Sequence, residues 1–171
     1  MNVTLKLSRL SYPHLFVPQP PMEGSAPDAL PKYNARFMVT EEDQAIVEAG
    51  INAILAEKFP TKVPAVFTDP AKRCLRQDPE TKGWYVAASN VNQPRVIDRS
   101  RQDIAPNAGI PYAGCYVNAV VRLWVQDNKY GKRVNASLEA VQFVKDGERF
   151  GHAPVDVDEA FPDLGDDDIP F

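Results

Sequence analysis

Three stretches of this chain set cations beside flat rings. Lys72, Arg73, Arg76 and Lys82 precede Trp84-Tyr85, and Arg95, Arg99 and Arg101 lead toward Tyr112 and Tyr116. Lys129, Tyr130, Lys132 and Arg133 crowd one polar turn. Tyr116, Arg122 and Trp124 also share one side of any strand that carries them, because strand side chains alternate. Ammonium and guanidinium groups attract phosphates, and aromatic faces stack on bases. The combination suits a single-stranded nucleic acid, in which each stacked base is worth about 1–3 kcal/mol.

Each group has a plainer counterpart. Large aromatics in strands commonly fill cores, so Trp84 and Trp124 could be interior. Arg95, Arg99 and Arg101 surround Asp98 and Asp103, which fits a solvated ion-pair face of little energetic weight. The Lys72 cluster is open to the same reading. Tyr130, between cations in a turn, is harder to place in a core.

Catalytic chemistry finds little support. The two histidines are His14, after a proline, and His152, at the edge of the apolar body. No Cys/His spacing makes a metal site, no glycine-rich phosphate loop is present, and no nucleophile elbow occurs. The carboxylates Asp166, Asp167 and Asp168 lack the fixed backbone that octahedral Mg²⁺ demands. No enzyme activity, cofactor or metal is expected. Cys74 and Cys115 lie far apart and suit reduced thiols in a cytoplasm. No apolar run approaches the length of a membrane span, so no membrane association is expected.

Charge divides the chain. Its formal net charge is −4, but residues 151–171 carry seven acids and no Lys or Arg. The remaining 150 residues hold 19 bases against 16 acids, a net of +3. The acidic stretch cannot bury enough apolar surface to fold alone, so a disordered arm is expected over 151–171, with a folded domain over 1–150. The arm ends in Asp166-Asp167-Asp168-Ile169-Pro170-Phe171. An apolar tip with a carboxylate is bait for a basic, hydrophobic pocket on a partner protein.

The elements that must position these groups read mainly as strands. Residues 2–10 alternate, with Val3, Leu5 and Leu7 on one side and Thr4, Lys6 and Ser8 on the other. Residues 17–31 hold five of the 16 prolines and read as a long loop. Tyr33 to Val39 alternates again. Thr40 then caps a helix opened by Glu41, Glu42 and Asp43, with Ile46, Ala49, Ala53 and Ile54 at helical spacing, Leu55 beside them, and Pro60 as the stop. Lys72 to Arg76 reads as a turn or short helix, and 84–89 and 94–98 as strands. A hairpin follows: 115–126, a turn over 127–132, and a return over 134–145. One helix among five or six strands points to a five-stranded Greek-key barrel, the OB-fold. Periodicity alone also fits a β-sandwich. A barrel edge or the 17–31 loop could pair chains into a homo-oligomer.

Two resemblances sharpen this reading. The segment from Asp166 to Phe171 resembles the C-terminal tip of bacterial single-stranded DNA-binding proteins. The body lacks that family's Trp-rich layout and Gly/Gln-rich linker. It resembles instead phage-encoded single-stranded DNA-binding proteins of the OB-fold type. The resemblance runs from about Trp84 to Gly151, through Pro111-Tyr112-Ala113-Gly114-Cys115-Tyr116-Val117 and Leu138-Glu139-Ala140-Val141-Gln142-Phe143-Val144, and on to Ala160-Phe161-Pro162-Asp163-Leu164. It implies sequence-independent binding of single-stranded DNA in a host-cell cytoplasm. It also implies a role in DNA replication, recombination or repair. The tip would dock a polymerase, helicase, primase or nuclease through Ile169, Pro170 and Phe171. A scaffold or decoy that mimics the tip without binding DNA is the alternative.

Overall fold

A computed structural model describes residues 1–150 and Pro162. The expected acidic arm, with its tip Asp166 to Phe171, otherwise lies outside the described residues. Seven strands and one helix follow in order: β1 (Asn2–Gln19), β2 (Lys32–Met38), α1 (Glu41–Lys58), β3 (Leu75–Gln77), β4 (Trp84–Asn90), β5 (Arg95–Ile97), β6 (Tyr116–Asn128) and β7 (Gly131–Lys145). Short 3₁₀ turns occupy Ala65–Thr68 and Pro70–Lys72.

The sheet runs β3-β4-β2-β1-β6-β7-β5, and a parallel bridge from Ser89 to Ser137 joins β4 to β7. That contact closes β4, β2, β1, β6 and β7 into a five-stranded barrel, as the OB-fold reading expected, and leaves β3 and β5 as added edges. The barrel fills with Leu5, Leu10, Phe37, Val86, Val117, Val121, Leu138 and Val141. On β6 the face expected to be apolar, Val117 to Leu123, is the buried one.

Strand β1 departs from its expected pattern in two ways. It continues to Gln19, into the proline-rich stretch read as loop, where it pairs with Lys32 of β2. Proline is tolerated there because Pro18 sits at the end of the strand. The side-chain phase also changes midway. Between Leu5 and Ser8 β1 uses three steps where β6 uses two, from Ala119 to Val117. This β-bulge gives Leu7 a φ of 50° and turns it 48% exposed, while Ser8 moves inside. The amides the bulge frees from the ladder find side-chain acceptors. Lys6 N donates to Asp43 Oδ2 at 2.7 Å and Leu7 N donates to Asn118 Oδ1 at 3.0 Å.

Helix α1 starts as its sequence dictates, with the Thr40 side chain accepting from Asp43 N at 3.2 Å. Its buried face is rotated from the expected one and shares only Leu55 with it. Val47, Gly50, Ile51 and Leu55 face the barrel, whereas Ile46, Ala49 and Ala53 are exposed and Ile54 is half-buried. Gly50 explains the rotation. A Cβ there would stand 2.9 Å from Leu123 Cδ1 and 3.1 Å from Met1 Sδ, so the bare backbone lets the helix lie close against the end of the barrel. The Asp43 carboxylate, on the same face, is thereby delivered to the β1 bulge.

Asp43→Ala should therefore destabilise the fold by about 1–3 kcal/mol, the cost of stranding a part-buried amide. Urea denaturation measures the loss. A change within error would mean that water replaces the carboxylate at the bulge.

Candidate nucleic-acid interface

Leu10, Phe37, Val86 and Val117 point into the barrel, so their chain neighbours Arg9, Met38, Tyr85 and Tyr116 point out. The strand registers then line these neighbours up. Arg76 of β3 pairs with Tyr85 of β4, Tyr85 with Met38 of β2, Met38 with Arg9 of β1, Arg9 with Tyr116 of β6, and Tyr116 with Lys145 of β7. The result is a transverse row of cations and apolar or aromatic side chains across six strands. At about 4.8 Å per strand the row is about 24 Å long.

A second tier backs the row. Arg36, opposite Ser11 and Ala87, lies between two rings, 5.0 Å from Tyr12 and 5.0 Å from Tyr85. Tyr12 stands in the irregular stretch between Ser11 and His14, with φ 47°, and is 65% exposed. Tyr85 is nearly covered, so it braces the guanidinium rather than offering a free face. A braced guanidinium loses little freedom when it meets an anion.

At the β6–β7 end, residues 146–150 fold across residues 112–114. Phe150 N donates to Ala113 O at 3.1 Å, and Gly147 N donates to the Tyr112 hydroxyl at 3.1 Å. That hydroxyl donates to Asp146 Oδ1 at 2.8 Å. Desolvation, reinforced by the Asp146 hydrogen bond, raises the Tyr112 phenol above its ordinary range. Gly114 and Gly147 touch so closely that a Cβ on either would collide with the other segment's backbone. Arg9 donates through Nε to Gly114 O at 3.1 Å, and Arg149 lies 4.2 Å from the Tyr112 ring. Lys145 Nζ sits 5.0 Å from the Tyr116 ring.

Of the residues singled out by sequence, Arg76 and Tyr116 stand in the row and Tyr112 beside its end. The others go elsewhere. Trp84 packs against the core. Arg73 donates to Phe67 O at 2.8 Å, and Lys72 precedes it in the 3₁₀ turn. Arg95 pairs with Asp103 at 3.1 Å and Arg99 donates to Val144 O at 3.2 Å, with Arg101 in the adjoining turn, all on the β5 side. Arg122, paired with Glu139 at 3.5 Å, and Trp124 share the outer face of β6 with Tyr116 but lie further along the strand. Tyr130, Lys132 and Arg133 sit at the far hairpin end, with Lys129 5.1 Å from the Tyr130 ring and Lys132 3.7 Å from Asp127. Linear clustering had Tyr85 beside the first basic group but missed Arg9, Tyr12, Arg36, Lys145 and Arg149. The signal that could have found them is strand parity: each flanks a core residue or a turn.

Among the described residues no group of three or more His, Cys, Asp or Glu could hold a metal, and no helix is long and apolar enough to cross a membrane. Burial pushes the Cys74 thiol up to about 11 and raises that of Cys115.

A closed five-stranded barrel, capped at one end by a helix and crossed by a row of cations and rings, defines an OB-fold domain with a surface suited to a flexible polyanion. The chain belongs to the family described as the ssDNA-binding protein of Enterobacter phage Enc34, which matches residues 1–169. Protein p50 of Acyrthosiphon pisum secondary endosymbiont phage 1 is 36% identical over 179 residues, covering 96% of this chain and 94% of that protein. The single-stranded DNA-binding protein of bacteriophage Enc34, solved in complex with ssDNA, aligns with a TM-score of 0.73 at 30% identity, over 88% of this chain and 89% of that one. The single-stranded DNA-binding protein gp2.5 of bacteriophage T7 shares the fold, with a TM-score of 0.59 at 13% identity over 96% and 97% of the two chains.

The raised thiols give a direct check. A group whose folded pKa exceeds its unfolded value of 9.0 holds its proton more tightly when folded. The Cys74 contribution to stability is thus complete below pH 9.0 and lost as pH climbs to about 11. At pH 8 a maleimide should leave both cysteines of the native protein unlabelled and modify both after denaturation. Rapid native labelling would place a thiol at the surface.

Proposed function

We propose that residues 1–150 bind single-stranded DNA without sequence preference, across the outer face of the barrel, in phage DNA replication, recombination or repair within the host cytoplasm. The carrying observation is the transverse row, in which Arg76, Arg9 and Lys145 are interspersed with Tyr85, Met38 and Tyr116. The complex formed by the 30% identical Enc34 protein supports the same ligand class. Arg9, Arg36, Arg76 and Lys145 take phosphates, while Tyr12 and Tyr116 stack on bases. Arg122, Trp124 and the Tyr130, Lys132 and Arg133 hairpin end extend the path for a longer strand.

The acidic residues 151–171 form the second half of the proposal. An arm of about 20 residues has a root-mean-square reach of roughly 25 Å, comparable to the row. Tethered at an effective concentration of order mM, it competes with DNA for the cations. Once expelled, its tip, Asp166 to Phe171, recruits a replication or repair protein.

Oligo(dT) binding, followed by tryptophan fluorescence across a salt series, tests the first half. Log affinity should fall against log salt by about 0.7 per phosphate neutralised, and Arg36→Ala should flatten the slope by about that amount. Tyr116→Ala should cost about 1–3 kcal/mol at every salt concentration. Unchanged affinity in both variants would move the site off this face. No binding at all would leave the decoy reading in its place.

Removing residues 155–171 should tighten binding most at low salt, and Phe171→Ala should abolish partner pull-down while leaving DNA affinity intact. Weaker binding after truncation sinks the competition, and retained pull-down sinks the docking role.

A further inference from the structure

Phe150 immediately precedes the acidic segment, and its ring lies against the row. The ring is 4.3 Å from the Arg9 guanidinium, closer than the Tyr116 ring at 6.0 Å. Arg9 is further engaged by backbone oxygens, through Nε to Gly114 O and through Nη2 to Glu148 O. The segment Asp146–Phe150 thus covers one face of the central cation of the row and takes up one of its donors, Nη2. Its anchorage is polar, not apolar. Phe150 is 41% exposed and is not among the side chains packed on the core. The segment is held by backbone hydrogen bonding to Ala113 O, by the Tyr112 hydroxyl with Asp146 and Gly147, and by Arg9 on Glu148 O, with Arg149 over the Tyr112 ring.

We infer that the face of Arg9 beside Tyr116 is a nucleobase subsite, that Phe150 fills it in the free protein as a stand-in for the base, and that DNA displaces the Asp146–Phe150 strap. The inference rests on the single-strand reading above and deepens it. A planar group fits because guanidinium and tyrosine both accept a flat face. Displacement also frees Arg9 Nη2 from Glu148 O, so one event opens a stacking position and a phosphate contact together. Residue 151 follows Phe150 directly, so the same event shifts the origin of the acidic segment away from the row. DNA occupancy and release of that segment are then one movement.

The test compares full-length wild type, Phe150→Ala, Arg9→Ala and the double variant in oligo(dT) titrations, with amide hydrogen exchange at Phe150 and Gly147. Phe150→Ala should tighten binding about two- to fivefold, the weight of one exposed cation–π contact. Its effect should vanish in the Arg9→Ala background, the non-additivity expected of two groups that act through one contact. Saturating oligo(dT) should speed exchange at the Phe150 and Gly147 amides while slowing it along β1 and β6. Weaker binding by Phe150→Ala would make the ring a stacking platform and overturn the inference, as would amides that stay protected when DNA is bound. Binding by wild type with either result keeps the single-strand reading intact, whereas no binding by wild type overturns both.

Discussion

The outward cation at the centre of the row depends on one extra residue. Strict alternation from Val3 and Leu5 would carry Leu7 and then Arg9 into the barrel. The bulge between Leu5 and Ser8 reverses the phase, so Leu10 goes in and Arg9 comes out between Met38 and Tyr116. A buried arginine without a partner would cost far more than the displaced ladder bond. The bulge persists because its free amides have fixed acceptors, one on α1 and one on β6. The helix that caps the barrel therefore also governs the surface on its outer wall. Gly50 completes the arrangement by letting α1 approach closely enough for Asp43 to reach β1.

The row has a division of labour that follows from burial. Tyr85 lies under Arg36 and holds the guanidinium plane, while Tyr12 reaches over it from an irregular turn of β1. An arginine sandwiched in this way presents a fixed charge, unlike Lys129 or Lys132 at the hairpin end, whose flexible stems pair with local groups. Charge density along the chain is therefore a poor guide to where charge is organised.

Much of the fold could be read in advance. The long apolar alternation over 117–123, the Thr40 cap and the turn between β6 and β7 are local signals, and local signals survive folding. The site was less legible because its members come from six strands, and only register brings Arg9 beside Tyr116 or Arg36 beside Tyr85. Basic residues crowd turns for solubility, which drew attention to Arg95 to Arg101 and to Lys129 to Arg133. The phase of β1 was hidden because a bulge leaves no composition mark. Apart from Leu55, the helix face was misjudged because 46, 49, 53 and 54 share the helical period with 47, 50 and 51, and glycine does not count as apolar in such a pattern.

The barrel is continuous along four antiparallel ladders, and its seam between β4 and β7 is joined by the Ser89–Ser137 bridge, by Asn90 Nδ2 donating to Leu138 O at 3.1 Å, and by residues 73–74, where Cys74 N donates to Val134 O at 2.9 Å and Cys74 O accepts from Ala87 N at 2.9 Å. The peptide that staples the wall shut leads straight into β3, and Arg76 Nε donates back to Arg73 O at 2.9 Å. The outermost cation is therefore held by the same few residues that complete the cylinder, so closure of the wall and placement of that charge are a single event in folding.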